Sequence, residues 1–244
     1  MSIDSIESPD NAMISATHSA DHEWTADDLA ACYGPLPLKR LRTMPSPGGA
    51  VEQDVLDLLD HEDRLFELHH GVLIEKVMGY YESVLAATLI RLLGDFVARH
   101  QLGILAGEAG LVRLAPEEIR IPDVSFISWP RLPNGEVPRD AISSVVPDLA
   151  IEIVSRGNTA REMQFKRQQY FEAGVRLVWY VYPKQREVHV FVAGENDGND
   201  AEPSVLREDQ TLTGGEVLPG FSLPLARLFA MPSPPPGTSP EASA

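Results

Sequence analysis

Two apolar, β-branched runs organise this sequence: Ile121-Pro122-Asp123-Val124-Ser125-Phe126-Ile127 and Pro147-Asp148-Leu149-Ala150-Ile151-Glu152-Ile153-Val154. Both are typical of strands that are buried in a sheet. Each contains one carboxylate that a core-facing strand would not otherwise choose, Asp123 or Glu152, because charged side chains are almost never fully buried without a partner. A polar helix that carries Lys166 follows the second run. We therefore expect a cation beside these strands and predict that it is a divalent metal ion.

The chemistry of the two carboxylates favours magnesium. If the two strands are neighbours, Asp123 and Glu152 converge, and nearby carboxylates repel each other unless a cation intervenes. Magnesium takes one or two protein carboxylates, keeps several waters and leaves positions for phosphate oxygens, and manganese can replace it. Lys166 would stabilise the charge that builds on phosphorus or orient a water. Glu82, in the first turn of a long predicted helix, is a third candidate carboxylate.

Each candidate also has a structural explanation. Glu152 could form a salt bridge with an arginine such as Arg113 or Arg176. Lys166 could be a solvated helix residue, and Glu82 could interact with the helix macrodipole.

Three further residues resemble site residues. Asp148 follows a proline just as Asp123 does, and Asp often caps a turn at such positions. We assign Asp148 to strand entry, because Glu152 lies deeper in the run. His69 and His70 lie in a predicted turn, and we interpret them as polar surface residues.

The composition is that of a globular protein with an uneven charge. The chain has 244 residues and a formal net charge of −16. Residues 1–67 hold 14 acids and 4 bases, a net charge of −10, whereas residues 111–191 hold 10 acids and 11 bases, a net charge of +1. A strongly acidic protein is a poor partner for nucleic acid. The acid is concentrated away from the candidate site, however, which weakens that objection.

The sequence predicts a cytoplasmic protein. A single cysteine, Cys32, excludes an internal disulfide framework. The first residues lack the basic and apolar regions of a signal peptide. No run reaches the roughly 18 apolar residues that a membrane-spanning helix needs.

Hydrophobic periodicity predicts a mixed α/β order of elements. Helices are expected over residues 51–60, 81–100, 159–173 and 225–229, with Asn158 or Thr159 as the cap of the third and Gly103 ending the second. A hairpin is expected over residues 64–78. Further strands are expected over residues 104–106, 110–114, 123–127, 149–154, 175–181, 187–192 and 206–212.

These elements predict four segments. Residues 1–23 are expected to be a disordered acidic tail and residues 24–63 an N-terminal helical wrap. Residues 64–230 are expected to form the main domain, and residues 231–244 a disordered tail rich in proline and serine. A polar loop is expected over residues 194–200.

The motifs resemble the PD-(D/E)XK nuclease superfamily and, more closely, the Uma family of restriction-endonuclease-like proteins. The resembling pieces run in order over about residues 64–229: Phe66-Glu67-Leu68, Gly71-Val72-Leu73, Ile121-Pro122-Asp123-Val124, Pro147-Asp148-Leu149-Ala150-Ile151-Glu152-Ile153-Val154-Ser155, Tyr170-Phe171-Glu172-Ala173-Gly174-Val175 and Leu218-Pro219-Gly220-Phe221-Ser222-Leu223. The resemblance implies a restriction-endonuclease-like core, with a central mixed β-sheet flanked by helices. It also implies a metal-dependent nuclease, a hydrolase, with Asp123 and Glu152 as metal ligands.

The sequence departs from the superfamily pattern at one position and from many members of the family at another. The pattern expects a lysine two residues after the strand glutamate, and Val154 stands there. Family members resemble this chain in carrying a lysine on the next helix, so Lys166 is the expected substitute. Many members have a histidine where this chain has Glu82.

Three functional hypotheses follow. The first is a magnesium-dependent endonuclease that acts on DNA. The second is a catalytically weak or inactive nuclease fold that binds DNA or a protein partner. The third is an assembly protein, in which an exposed strand such as residues 187–192 pairs two copies into a homodimer.

Overall fold

The computed structural model describes residues 23–194 and 202–230. The predicted tails over residues 1–23 and 231–244, apart from Glu23, and most of the predicted loop over residues 194–200 lie outside the described residues. The helices within them are α1 (Ala26–Tyr33), α2 (Glu52–Glu62), α3 (Tyr80–His100), α4 (Ala160–Glu172) and α5 (Leu225–Phe229). The strands are β1 (Phe66–His69), β2 (Val72–Glu75), β3 (Gly103–Ala106), β4 (Leu111–Ala115), β5 (Glu118–Arg120), β6 (Val124–Ser128), β7 (Ile142–Ser143), β8 (Leu149–Ile153), β9 (Leu177–Tyr182), β10 (Glu187–Val192), β11 (Ser204–Arg207), β12 (Thr211–Gly214) and β13 (Leu218–Pro224).

Two helices begin with the same capping arrangement. The Thr25 hydroxyl accepts from the Asp28 N–H at 3.2 Å, and the Asp28 carboxylate accepts from the Thr25 N–H at 2.8 Å. Thr159 and Glu162 repeat this exchange at the start of α4, with distances of 3.0 and 3.4 Å. Each of these exchanges is a capping box, which satisfies two backbone donors that a helix start leaves unpaired. The cap of α4 is therefore Thr159.

The strands form two larger sheets and one hairpin. The six-stranded sheet has the order β11-β10-β9-β8-β6-β3, and in it β8 and β9 are parallel while the other pairs are antiparallel. The five-stranded sheet has the order β2-β1-β5-β4-β7, and β12 pairs with β13. β6 and β8 are neighbours, with Val124 opposite Ile151. This architecture confirms the predicted mixed α/β class.

The six-stranded sheet has apolar clusters on both faces. α3 packs on one face, where Leu89 and Leu93 share a core with Phe126 and Trp179. The other cluster contains α4 residues such as Met163 together with strand residues of β8, β9 and β10. A central strand covered on both sides is expected to be apolar, which explains every residue of β8 except Glu152.

A buried ion pair attaches the N-terminal segment to α4. The Arg40 guanidinium binds the Glu162 carboxylate through two contacts of 2.8 and 2.9 Å, and both side chains are almost fully buried. Arg40 also donates to the carbonyl oxygens of Glu75 and Gly157. Removing one partner of such a pair typically costs about 3–5 kcal/mol, because the other charge stays buried.

Several strand predictions are wrong. Residues 206–212 do not form one strand, because a turn in which the Gln210 N–H donates to the Arg207 carbonyl separates β11 from β12. β5, β7 and β13 were not predicted. Two of the three residues of β5 are charged, and hydrophobic alternation does not identify such a segment as a strand.

The end of α3 also differs from the prediction. Gln101 adopts the left-handed conformation after the helix, with φ of 51°. Gly103 instead begins β3, where a side chain would collide with the Ile127 carbonyl. Close strand approach, and not helix termination, explains the glycine.

The strand that was expected to pair two copies is not at an edge. β10 lies between β9 and β11, so its backbone groups already have partners. The edge strands of this sheet are β11 and β3. Among the described residues, no helix combines the length and apolar character needed to cross a bilayer.

Gly71 offers a test of how the hairpin is packed. Its φ is +76°, and a Cβ there would collide with the backbone of Gly48, whose N–H donates to the Gly71 carbonyl at 2.9 Å. Gly174 has φ of +93° and no atom within 4 Å of the same position. Gly174→Ala should cost about 1–2 kcal/mol of unfolding free energy for the left-handed backbone. Gly71→Ala should cost about 2–5 kcal/mol, because crowding adds to the same strain.

Urea unfolding of the two variants measures this difference. Equal losses would show that the segment around Gly48 does not pack against the hairpin.

Candidate active site

A buried group of charged side chains lies where the chain passes from the five-stranded to the six-stranded sheet. β5 belongs to the first sheet and β6 to the second, and residues 121–123 connect them. Three acids and three bases meet there, all nearly inaccessible to solvent: Glu67, Asp123, Glu152, Lys76, Arg120 and Lys166. We call this group the junction cluster.

Asp123 and Glu152 lie close together at one end of the β6–β8 pair. Asp123 immediately precedes β6, whose first residue Val124 pairs with Ile151, and the Asp123 N–H donates to the Ile151 carbonyl at 3.0 Å. Glu152 is the next residue of β8, near enough for the charge of Asp123 to act on it. The Asp123 Oδ2 atom also accepts from the N–H of Ile153 at 2.5 Å. The structure therefore brings these two predicted site residues together.

Lys166 belongs to the same group. Its Nζ atom lies 2.9 Å from Oε1 of Glu67 and 3.7 Å from Oε1 of Glu152. The Tyr170 hydroxyl, one turn further along α4, donates to the same Glu152 oxygen at 2.6 Å. Lys166 is only 2% exposed, so its interpretation as a solvated helix residue is wrong.

The arginines considered as partners of Glu152 lie elsewhere. Arg113 donates to Glu52, and Arg176 lies 3.7 Å from Asp148. The carboxylate of Glu152 is therefore held by a lysine and a tyrosine. Asp148 is a strand-entry residue with its own ion pairs.

Lys76 and Glu67 were not predicted as site residues. Lys76, one residue after β2, places its Nζ 2.7 Å from Oδ1 of Asp123 and also donates to the Ile121 carbonyl. Glu67 accepts from the Ile121 N–H at 3.2 Å and pairs with Arg120 at the same distance. Glu67 did carry a signal, a lone acid within an apolar run. Lys76 carried none, because a lysine beside a turn is normally solvated.

The environment of the junction cluster shifts the acidity of its members. Burial raises the pKa of Glu152 to about 7, against the opposing charges of Lys166 and Lys76. Burial acts on Glu67 in the same sense, but Lys166, Arg120 and Lys76 outweigh it and lower the pKa of Glu67 to about 2. Burial lowers the pKa of Lys166, yet Glu152 and Glu67 raise it overall above its usual value. Glu67 and Lys166 thus each favour the charged form of the other.

Glu82 is not joined to the junction cluster. It lies in the first turn of α3, and its carboxylate turns back over Gly79. Among the described residues, no hydrogen bond or ion pair links it to Asp123 or Glu152. Its predicted role remains untested.

A second group of polar side chains lies beside the junction cluster. His69, His70 and Glu118 meet at the β1–β2 turn, and His69 is only 1% exposed. The interpretation of His69 as a surface residue is therefore wrong. Burial raises the pKa of Glu118 to about 7, although Arg120 opposes it. Gln169 connects the two groups, because its amide donates to Glu118 and accepts from Arg120.

Comparisons with known proteins identify a family and a solved structure of similar fold. A sequence model of the Uma2 family, described as "Putative restriction endonuclease", matches residues 52–226. A crystal structure of "a putative nuclease belonging to DUF820 from Anabaena variabilis ATCC 29413" is similar, with a TM-score of 0.59 and 20% sequence identity. The match covers 68% of this chain and 90% of that chain. A comparison with curated proteins found no match.

Replacing Lys166 tests whether water is excluded from the junction cluster, as the burial of its side chains indicates. Lys166→Met keeps the length of the side chain but removes a charge that faces two buried carboxylates. We expect a loss of about 3–5 kcal/mol in unfolding free energy, measured by urea unfolding. Lys184→Met, at an exposed turn, should change it by less than about 0.5 kcal/mol. Similar small losses for both variants would mean that water reaches Glu67 and Glu152.

Proposed function

This chain belongs to the Uma2 family, and on that basis we propose that it is a magnesium-dependent phosphodiesterase that hydrolyses DNA. The observation that carries the proposal is the proximity of Asp123, immediately before β6, to Glu152 on the neighbouring strand β8. Lys166 from α4 lies close to Glu152, so two carboxylates and one ammonium group face the same space.

The donor atoms support a hard cation. Asp123 and Glu152 offer carboxylate oxygens, and no third ligand of the His, Cys, Asp or Glu type completes a close group with them among the described residues. Magnesium accepts such a set, because waters fill its remaining positions, and Mn²⁺ can replace it. When bound, the ion would supply a water of lowered pKa and stabilise the negative charge of the phosphate.

The lysines have separate roles in this proposal. Lys166 holds Glu67 and Glu152 in place through its two contacts. Lys76 neutralises Asp123. If Asp123 held the ion, the ammonium group of Lys76 would be available to a phosphate oxygen.

A polyanionic substrate is compatible with the local charge. The whole chain carries −16, but residues 111–191, which contain Asp123, Glu152 and Lys166, carry a net charge of +1. Electrostatic attraction of a phosphate backbone depends on the charge near the binding surface.

One observation favours the second hypothesis, binding without turnover. Asp123 and Glu152 are only 4% and 5% exposed, and Lys76 occupies the carboxylate of Asp123. A site in this state has to open before a phosphate can reach it. Binding of DNA or a protein partner without metal-dependent cleavage would identify such a module.

A cleavage assay on supercoiled DNA tests the proposed function. The protein should nick or cut the DNA only when Mg²⁺ or Mn²⁺ is added. Asp123→Asn or Glu152→Gln should reduce the rate on the order of 10³-fold or more, because the metal ligands are lost.

Asp148→Asn is the matched control. Asp148 also follows a proline and is also buried, but it lies at the opposite end of β8 from Glu152. It should retain cleavage if it folds. Unchanged cleavage in both Asp123→Asn and Glu152→Gln would remove the mechanism.

The competing role of Lys76 predicts an unusual effect on metal binding. Lys76→Met removes a cation that contacts Asp123, so Mn²⁺ should bind roughly tenfold more tightly, as measured by calorimetric titration. Lys39→Met, an exposed lysine, should leave the affinity unchanged. Weaker Mn²⁺ binding by Lys76→Met would instead make Lys76 a positioning residue for Asp123.

A further inference from the structure

We propose that His69, His70 and Glu118 form a second cation site, which takes a transition-metal ion of the Zn²⁺ type. One ligand atom from each residue lies within 4.8 Å of the other two. This group contains two imidazoles, whereas Asp123 and Glu152 offer oxygen atoms alone. The inference does not depend on whether the protein cuts DNA.

The backbone fixes the three ligands relative to one another. His69 and Glu118 are directly paired residues of the β1–β5 ladder. His70 follows with φ of 41°, and its N–H donates to the Glu117 carbonyl at 3.0 Å. This turn brings the rings of His69 and His70 to a centroid distance of 4.7 Å. Two of the ligands thus come from paired strands and the third from a tight turn.

The Glu118 carboxylate is oriented toward both imidazoles. Its Oε1 atom contacts Nδ1 of His69 and lies 3.4 Å from Nε2 of His70. Its Oε2 atom accepts from the Gln169 amide at 2.7 Å. Arg120 donates to the amide oxygen of Gln169 at 2.8 Å, which fixes which end of that amide faces Glu118. Partners of this kind orient ligands in metal sites.

A hydrogen bond between His69 and Glu118 would explain their contact without any metal. The His70 ring approaches the same carboxylate oxygen. All three residues therefore bring a ligand atom within the reach of one ion.

The donor set indicates the class of ion. Two imidazoles and one carboxylate suit Zn²⁺ and the neighbouring first-row metals, whereas Mg²⁺ prefers oxygen ligands alone. The His70 side chain is 20% exposed and that of His69 only 2%, so solvent reaches the site from the His70 side. Three protein ligands leave a further coordination position for water on that side.

An ion at this site would also act on the junction cluster. Glu118 binds Gln169, Gln169 binds Arg120, and Arg120 pairs with Glu67. Fixing Glu118 therefore helps to fix the Arg120 side chain that neutralises Glu67. An ion held by His69, His70 and Glu118 would in this way help to position the residues of the junction cluster.

Zinc binding by the full chain, without a histidine tag, tests the inference. The parent protein carries Glu152→Gln, so that the Asp123–Glu152 pair cannot hold zinc. Equilibrium dialysis should show one tightly bound Zn²⁺, and Co²⁺ should give a visible absorption band from nitrogen and oxygen ligands. Saturation to about 100-fold above Kd should raise Tm by about 5–10 °C.

His70→Asn in this parent removes one ligand, and asparagine tolerates the positive φ at that position. Zinc affinity should fall about 100-fold or more, because loss of an outer partner alone costs 10–100-fold. His61→Asn, on the exposed face of α2, should bind zinc as the parent does. Glu118→Gln provides a second ligand variant if His70→Asn does not fold.

Absence of zinc binding by the parent, or equal affinity in the parent and in His70→Asn or Glu118→Gln, would overturn the inference. Magnesium-dependent cleavage by the unaltered chain would survive that result. Conversely, zinc binding without any DNA cleavage would support the second cation site and contradict the proposed nuclease function.

Discussion

Charges that are buried together have to neutralise one another, and this requirement governs the junction of the two sheets. Glu67, Asp123 and Glu152 meet there with Lys76, Arg120 and Lys166. Each side chain comes from a different element or connection, so the balance exists only when both sheets and α4 are in place. The same arrangement that holds the elements together also places a group of charged side chains in the protein interior.

The face of α4 that is buried is polar, which explains its part in this arrangement. Lys166, Gln169 and Tyr170 lie three and four residues apart, which places them on one face of the helix. All three are buried. The helix thus presents polar groups, and not an apolar stripe, to the junction cluster. One helix face supports both the carboxylate pair and, through Gln169, the group around Glu118.

The sequence predicted the part of the fold that rests on strong local patterns. An acid within an apolar run identified Asp123 and Glu152, and the mixed α/β class followed from the order of elements. Lys76 and His69 were missed because their burial is created by partners more than 40 residues away along the chain. β5 was missed for the same reason, since its charged residues are buried in a strand only where Glu67 pairs with Arg120 and the Gln169 amide donates to Glu118.

The ion pair between Arg40 and Glu162 has a consequence for the size of the folding unit. The Uma2 sequence model matches residues 52–226, and Arg40 lies outside that range. Glu162 nevertheless lies inside it, fully buried, with Arg40 as its ion-pair partner. In a chain trimmed to residues 52–226, the buried carboxylate of Glu162 would lose Arg40 as its ion-pair partner. The part of the chain that stabilises the fold therefore begins before residue 52, where the family match begins.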